Sequence, residues 1–346
     1  MHCERLLLGC LLLFALRDVR AQPEVVATTA DVAAICRVVG GDDVVVTTLA
    51  DAAADPHFLE ARPSMLRSCA RAEVLVEVGR ELEIGWLPVL VRNSRNGSIL
   101  PGSPGSIDVS AAVRALGVPA AGADRSAGDL HTGGNPHYLS DPLCGLQVAA
   151  LLRDRFTALW PAAGARFAAN FTAFRSRLAV SMVGEALAPL YDHDAERLAT
   201  LFGAGRLGQV LAAQGDLERL GGWFGTMLPL RDRTIVADHD LWPYFTERFG
   251  LQMVGFFEPK PGVAPTTSHL RELIEQMRQR DVHAILSTPY FSPKHAELVA
   301  RATGAEVVLM APQPGAVPGT ENYVAWIDHH VQQVAAALRR ETVAPR

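Results

Sequence analysis

An α/β fold of two lobes with parallel sheets follows from three observations. Short β-branched runs alternate with helical stretches from Glu24 to Val91. The alternation resumes at Arg233, after a long helical block. The chain has 346 residues, more than one typical core holds at roughly 100–200 residues per domain. Strands that alternate with helices call for parallel sheets covered on both faces.

The elements follow in order. Glu24–Thr29 (EVVATT) is a β-branched strand, and Ala30–Val39 is a helix with Val32, Ile35, Cys36 and Val39 on its apolar face. Gly40-Gly41-Asp42 ends it, and Val44-Val45-Val46 opens the second strand. Pro63–Ala72 is a helix with proline at its start, and Val74–Val78 is a third strand. Glu81–Val91 is expected to be helical, Ser98–Gly105 a loop, and Gly122–Pro136 a polar, glycine-rich surface loop. Leu143–Leu159 and Ala165–Leu190 are expected as long helices. Further helical material runs over Asp194–Leu220, broken at Gly203, Gly205 and Gly215. In the second half, strands are expected at Thr234–Ala237, Met253–Phe257, Ala284–Leu286 and Val307–Met310. Helices are expected through Phe245–Phe249 and over Thr267–Arg280, Pro293–Thr303 and Asn322–Leu338. The chain thus divides into a leader at 1–21, a first lobe at 22–160, a linking helical region at 161–232 and a second lobe at 233–346. Two such lobes place a ligand cleft between them, at the carboxyl ends of their strands.

Composition narrows the function. Hydrophobic residues make up 49% and charged residues 20%, which describes a globular chain and not a disordered one. The net charge is -5, and the acidic residues are scattered, so no polyanion-binding surface is expected and nucleic acid is excluded as a partner. The run Leu6–Leu16 is apolar but far short of the ~20 residues that a spanning helix needs. With Arg5 before it and Ala21 after it, it reads as a secretory signal peptide cleaved near Ala21. Cys10 lies inside the apolar run, which argues against lipidation there. Cys36, Cys69 and Cys144 remain after cleavage; their spacing matches no zinc-finger pattern, and buried roles without a Cys36–Cys69 bridge are expected.

Chemistry points to histidine. His57 in Asp55-Pro56-His57, His137 in Asn135-Pro136-His137-Tyr138 and His239 in Asp238-His239-Asp240 all stand in loops between strands and helices. Three neutral imidazoles from three loops suit zinc if they converge in one cleft; otherwise each packs or caps locally, and the spacing alone does not decide. His131, in the glycine-rich loop, is a candidate auxiliary metal acceptor. His269, His283, His295 and the His329-His330 pair are expected on solvated faces. Glu60, Asp141 and Asp240 lie near the three histidines and are candidates to orient them, or else to cap helices and form salt bridges.

At these residues the chain resembles the zinc- and manganese-binding periplasmic solute-binding proteins of ABC transporters, the ZnuA/TroA-like group (solute-binding protein family 9). Three motifs carry the resemblance in order: Asp55-Pro56-His57-x-x-Glu60, Asn135–Pro142 (NPHYLSDP), and His239–Phe245 (HDLWPYF), the last followed by Glu258–Gly262 (EPKPG). The likeness runs from about Val25 to Leu338. It implies two Rossmann-like lobes joined by one long backbone helix, with the metal in the cleft and His57, His137 and His239 as ligands. It also implies a periplasmic protein that hands zinc, as cargo, to an inner-membrane ABC permease. A periplasmic metal donor is a further partner, and a monomer is expected.

Three departures stand out. The family's usual second-lobe carboxylate falls on Ala311-Pro312, and its Glu-Pro position reads Thr288-Pro289. The histidine-rich loop of many members shrinks to His131, and Ser181–Leu228 exceeds the usual connection. Three imidazoles without a sure carboxylate favour zinc over manganese. The competing reading is an exported zinc-dependent hydrolase that uses the open position of a three-histidine site. No H-E-x-x-H, nucleophile elbow or phosphate loop supports it.

Overall fold

The structure, a computed structural model, describes residues 22–120, 131–258 and 263–340. The expected leader and its cleavage point lie outside these residues, as do part of the glycine-rich loop and Pro259–Gly262.

Lobe 1 begins with β1 (Glu24–Ala27), α1 (Ala30–Gly40), β2 (Val45–Thr48), α2 (Pro63–Arg71), β3 (Val74–Glu77), α3 (Leu87–Ser94) and β4 (Ser106–Asp108). Its sheet has the order β2-β1-β3-β4, and every pairing is parallel. Alternation along β1 sends Val25 and Ala27 to one core and Val26 to another. On the second face Val26 and Leu75 pack with Met65 and Cys69 of α2 and Leu87 and Leu90 of α3. Cys36 of α1 belongs to the first core and Cys69 to the second, so the sheet separates them; Cys36, Cys69 and Cys144 are all free and buried.

A helical block follows: α4 (Pro142–Leu159), α5 (Gly164–Val183), α6 (Ala195–Gly203), α7 (Leu207–Gln214) and α8 (Gly222–Met227). α5 has 20 residues, a length of about 30 Å at 1.5 Å per residue. It stops short of the expected Leu190 because Gly184 takes a positive φ of 87° and lies against Gly221. The expected breaks hold: α6 ends on Gly203, Gly205 has φ 70°, and α7 is capped by Gly215 in the left-handed region.

Lobe 2 repeats the pattern with β5 (Thr234–Ala237), α9 (Pro243–Phe249), β6 (Gln252–Phe256), α10 (Thr267–Gln279), β7 (Ala284–Ser287), α11 (Pro293–Thr303), β8 (Glu306–Leu309) and α12 (Tyr323–Arg339). The order β6-β5-β7-β8 matches that of lobe 1, and again every pairing is parallel. α10 and α11 cover one face through Leu270, Leu273, Met277 and Val299. The other face joins the core of α4, α5 and lobe 1 in one continuous apolar cluster that includes Phe174, Phe245, Phe249 and Trp326.

Two expectations within lobe 1 need correction. Glu81–Trp86 is a series of turns and not helix, because Gly79, Arg80 and Glu81 all have positive φ (79°, 51° and 66°). β4 was not expected at all; its three residues follow a Gly/Pro/Ser loop that masks the strand pattern.

Polar bridges fix the lobes to each other. Arg248 of α9 reaches Asp141, the N-cap of α4, through two contacts of 2.8 Å. The Tyr323 hydroxyl donates to the Leu139 carbonyl at 2.8 Å, and the Asp31 N–H donates to Gln313 at 2.9 Å. The buried Arg80 side chain reaches the Val113 and Asn135 carbonyls in lobe 1 and the Tyr244 hydroxyl in lobe 2.

Candidate metal centre

The loop after β2 carries His57. Asp55 accepts from the His57 backbone N–H at 2.9 Å and from Nδ1 at 2.7 Å, so a single carboxylate shapes the loop and aims the ring. That leaves Nε2 facing the cleft. His137 ends a loop in which Asn135 accepts its N–H at 2.9 Å and donates to the Asp240 carbonyl of lobe 2 at 2.7 Å. His239 follows β5, with Nδ1 3.2 Å from the Glu258 carbonyl and its ring beside Phe256 and Phe291.

His57 is the hub. Its ring centroid lies 5.2 Å from His137 and 5.3 Å from His131. His131 Nδ1 is 2.9 Å from the Arg80 carbonyl, which can only accept, so Nδ1 carries the proton. The Nε2 atoms of His57 and His131 are 3.3 Å apart. With both Nδ1 atoms turned to oxygen acceptors, the two Nε2 atoms meet across this gap.

Electrostatics joins the fourth ring to these three. Burial first, then the charges of His57, His131 and His239, hold His137 well below the usual imidazole range. It is therefore neutral near pH 7, as a ligand must be. Burial alone would raise Asp55, but the hydrogen bonds and charge of His57, together with the charge of His239, lower it. His239 thus acts on both Asp55 and His137 from across the cleft. Behind His137 an interlobe cavity of about 30 Å³ is lined by Asp31, Ser140, Trp242, Thr288, Tyr290 and Gln313, among others. Among the described residues no three His, Cys, Asp or Glu side chains already stand in metal-holding geometry. His57 and His131 are adjacent, His137 is in ring contact with His57, and the charge of His239 reaches His137 and Asp55 from lobe 2.

The remaining sequence candidates fall elsewhere. Asp55 orients His57, whereas Glu60 is exposed. The signal was present: an aspartate two residues before a histidine can bond both its N–H and its ring. Asp141 caps α4 through the Leu143 N–H and pairs with Arg248. Asp240, raised by burial, meets Asn135 at 3.4 Å. Ala311 is fully buried, and its carbonyl accepts from Trp326 and His330. Thr288 is buried with Oγ1 unpartnered. His330 and His283, expected on solvated faces, are buried; His330 is packed between the rings of Trp242 and Trp326 and pushed down to about 3 by burial.

Comparison with known proteins gives these features a context. The profile of the family described as "Zinc-uptake complex component A periplasmic" (ZnuA) matches residues 25–181 and 210–337. The chain is similar to the high-affinity zinc uptake system protein ZnuA of Yersinia pestis, at 21% identity over 83% of this chain and 82% of that one. To its namesake in Haemophilus influenzae it is 30% identical over 83 residues, 24% of this chain and 25% of the other. The match thus spans about a quarter of that relative's length. A crystal structure of ZnuA shares the fold with a TM-score of 0.65 at 19% identity, covering 92% of this chain and 99% of that one. A Mn-bound periplasmic metal binding protein from Candidatus Liberibacter asiaticus does so with a TM-score of 0.64 at 18% identity, over 92% and 100%. The profile covers most of the chain and takes in all three histidine motifs, so the protein belongs to the ZnuA family of periplasmic zinc-uptake components.

Proposed function

We propose that this chain captures zinc outside the inner membrane and delivers it, as cargo, to an ABC permease. The observation that carries this reading is the cluster of His57, His131 and His137 on lobe 1 facing His239 of lobe 2. His57, His137 and His239 are the proposed ligands, and Asp55 and the Glu258 carbonyl hold the far nitrogens of His57 and His239. Imidazole donors suit zinc better than manganese, which prefers oxygen-rich sites. Family membership supports export, and no helix among the described residues is long and apolar enough to cross a membrane. The leader at 1–21 is the proposed export signal, and the cargo role implies no catalysis.

Elemental analysis of protein purified from its native compartment, followed by competition titration, tests this. One zinc per chain that manganese does not displace is expected. Stoichiometric manganese, or zinc-dependent hydrolysis of ester or amide substrates, contradicts it.

A further inference from the structure

We propose that His131 is itself a zinc ligand of this chain, completing an all-imidazole set in which lobe 1 supplies three donors and lobe 2 one. The inference rests on the zinc-binding reading above and deepens it. Its first support is a distance. Two donors bound at 2.0–2.1 Å and separated by the tetrahedral angle lie about 3.3–3.4 Å apart. The Nε2 atoms of His57 and His131 are 3.3 Å apart and face each other. The pair therefore matches the edge length of a zinc tetrahedron.

The second support is that the position of His131 is built. The Arg80 carbonyl holds Nδ1 at 2.9 Å and so directs Nε2 to His57. The next residue, Thr132, donates its N–H and its hydroxyl to Glu81 at 3.0 and 2.9 Å. Both partners lie in the left-handed turn after β3, where Arg80 and Glu81 have φ of 51° and 66°. Non-glycine residues avoid this region, and such strain persists only where the surroundings over-determine it. Here the buried Arg80 guanidinium is fixed by carbonyls of lobe 1 and by the Tyr244 hydroxyl of lobe 2. The strained turn thus presents one carbonyl and one carboxylate, and both are used to hold the His131 segment.

The third support is the donor set across the cleft. At the ends of β7 and β8, Thr288 and Ala311 offer no carboxylate, and Ala311 is buried with its carbonyl engaged. Neither of these two lobe 2 positions supplies a ligand, which leaves a coordination position that His131 of lobe 1 can fill. Four nitrogens and no oxygen also sharpen the discrimination against manganese.

The test uses the full mature chain and His131→Asn. Asparagine keeps a donor near the Nδ1 position for the Arg80 carbonyl and removes Nε2. Zinc affinity is measured by competition with a chromophoric chelator, and the imidazole count by X-ray absorption at the zinc edge. The parent is expected to show four imidazoles. His131→Asn is expected to bind zinc at least tenfold more weakly, with three imidazoles and one oxygen, and with an unchanged melting temperature in the metal-free state. Should His131→Asn match the parent in affinity and imidazole count while His57→Ala loses zinc, His131 is no ligand and the three-histidine site stands. Should the parent itself take up no zinc, the underlying reading fails with it.

Discussion

The two lobes share a sheet order yet present very different faces to the cleft. Lobe 1 places His57, His131 and His137 together, and fixes two of them through the Asp55 carboxylate and the Arg80 carbonyl. Lobe 2 presents His239, steadied by a backbone carbonyl, beside the buried Thr288 and Ala311. One topology therefore carries two different faces, with three clustered histidines on lobe 1 and His239 on lobe 2.

Buried polar contacts hold the lobes to each other, and the largest expected effect tests them. Arg248 and Asp141 are both nearly buried and join α9 to α4. Removing one partner of a buried pair costs about 3–5 kcal/mol. Arg248→Met should lower unfolding stability by that order in denaturant titration. The neighbouring Arg114–Glu247 pair is exposed, so Arg114→Ala should cost less than ~1 kcal/mol. Equal effects from the two variants contradict the view that the buried bridge holds the lobes.

Metal binding breaks or sharpens the comparison directly. His57→Ala should weaken zinc binding on the order of 100-fold or more, since loss of a mere supporting residue already costs about 10–100-fold. His239→Ala should cost at least tenfold but less than His57→Ala. A larger loss for His239→Ala contradicts that order. Asp55→Ala, which removes the carboxylate on His57 Nδ1, should weaken zinc by about 10–100-fold. Glu60→Ala should leave binding unchanged.

Acid and base should act on the two lobes in opposite directions, through His330 in lobe 2 and Glu83 in lobe 1. In lobe 2, His330 is pushed from 6.5 down to about 3 by burial, so the unfolded chain takes up a proton that the folded chain refuses. Stability then falls as pH drops from about 6.5 toward about 3. In lobe 1, Glu83 is raised from 4.5 to about 8, chiefly by burial, so the folded chain keeps a proton that the unfolded chain releases. Stability falls as pH rises from about 4.5 toward about 8. His330→Gln should flatten the acid side of the stability curve, and Glu83→Gln the alkaline side. If both variants titrate like the parent, these groups do not hold the shifted states that their burial implies.

Much of this was legible in the sequence. The β-branched runs and the apolar faces of the helices gave both sheets, because a buried parallel strand needs such runs. The motifs around His57, His137 and His239 marked the loops that the structure brings to the cleft. What escaped depended on contacts distant in sequence or on backbone conformation. β4 has three residues and only one, Ile107, on the core side. The turn at Gly79–Glu81 breaks the helical pattern through its backbone, and periodicity does not report a left-handed arginine. His131 stands out in the sequence as a candidate auxiliary acceptor, but it lies 51 residues from the Arg80 carbonyl and 74 from His57, so its contact with His57 shows only in the fold. His330 shows the reverse error: a polar residue on a terminal helix reads as exposed, yet Trp242, Phe245 and Trp326 enclose it.

One zinc held between the lobes on imidazole nitrogens is the central expectation. Anomalous diffraction at the zinc edge from crystals of the zinc-loaded chain tests this most directly. The expected result is one dominant peak within bonding distance of His57, His137 and His239. A dominant peak elsewhere, or a cleft site built from carboxylates without those rings, contradicts it.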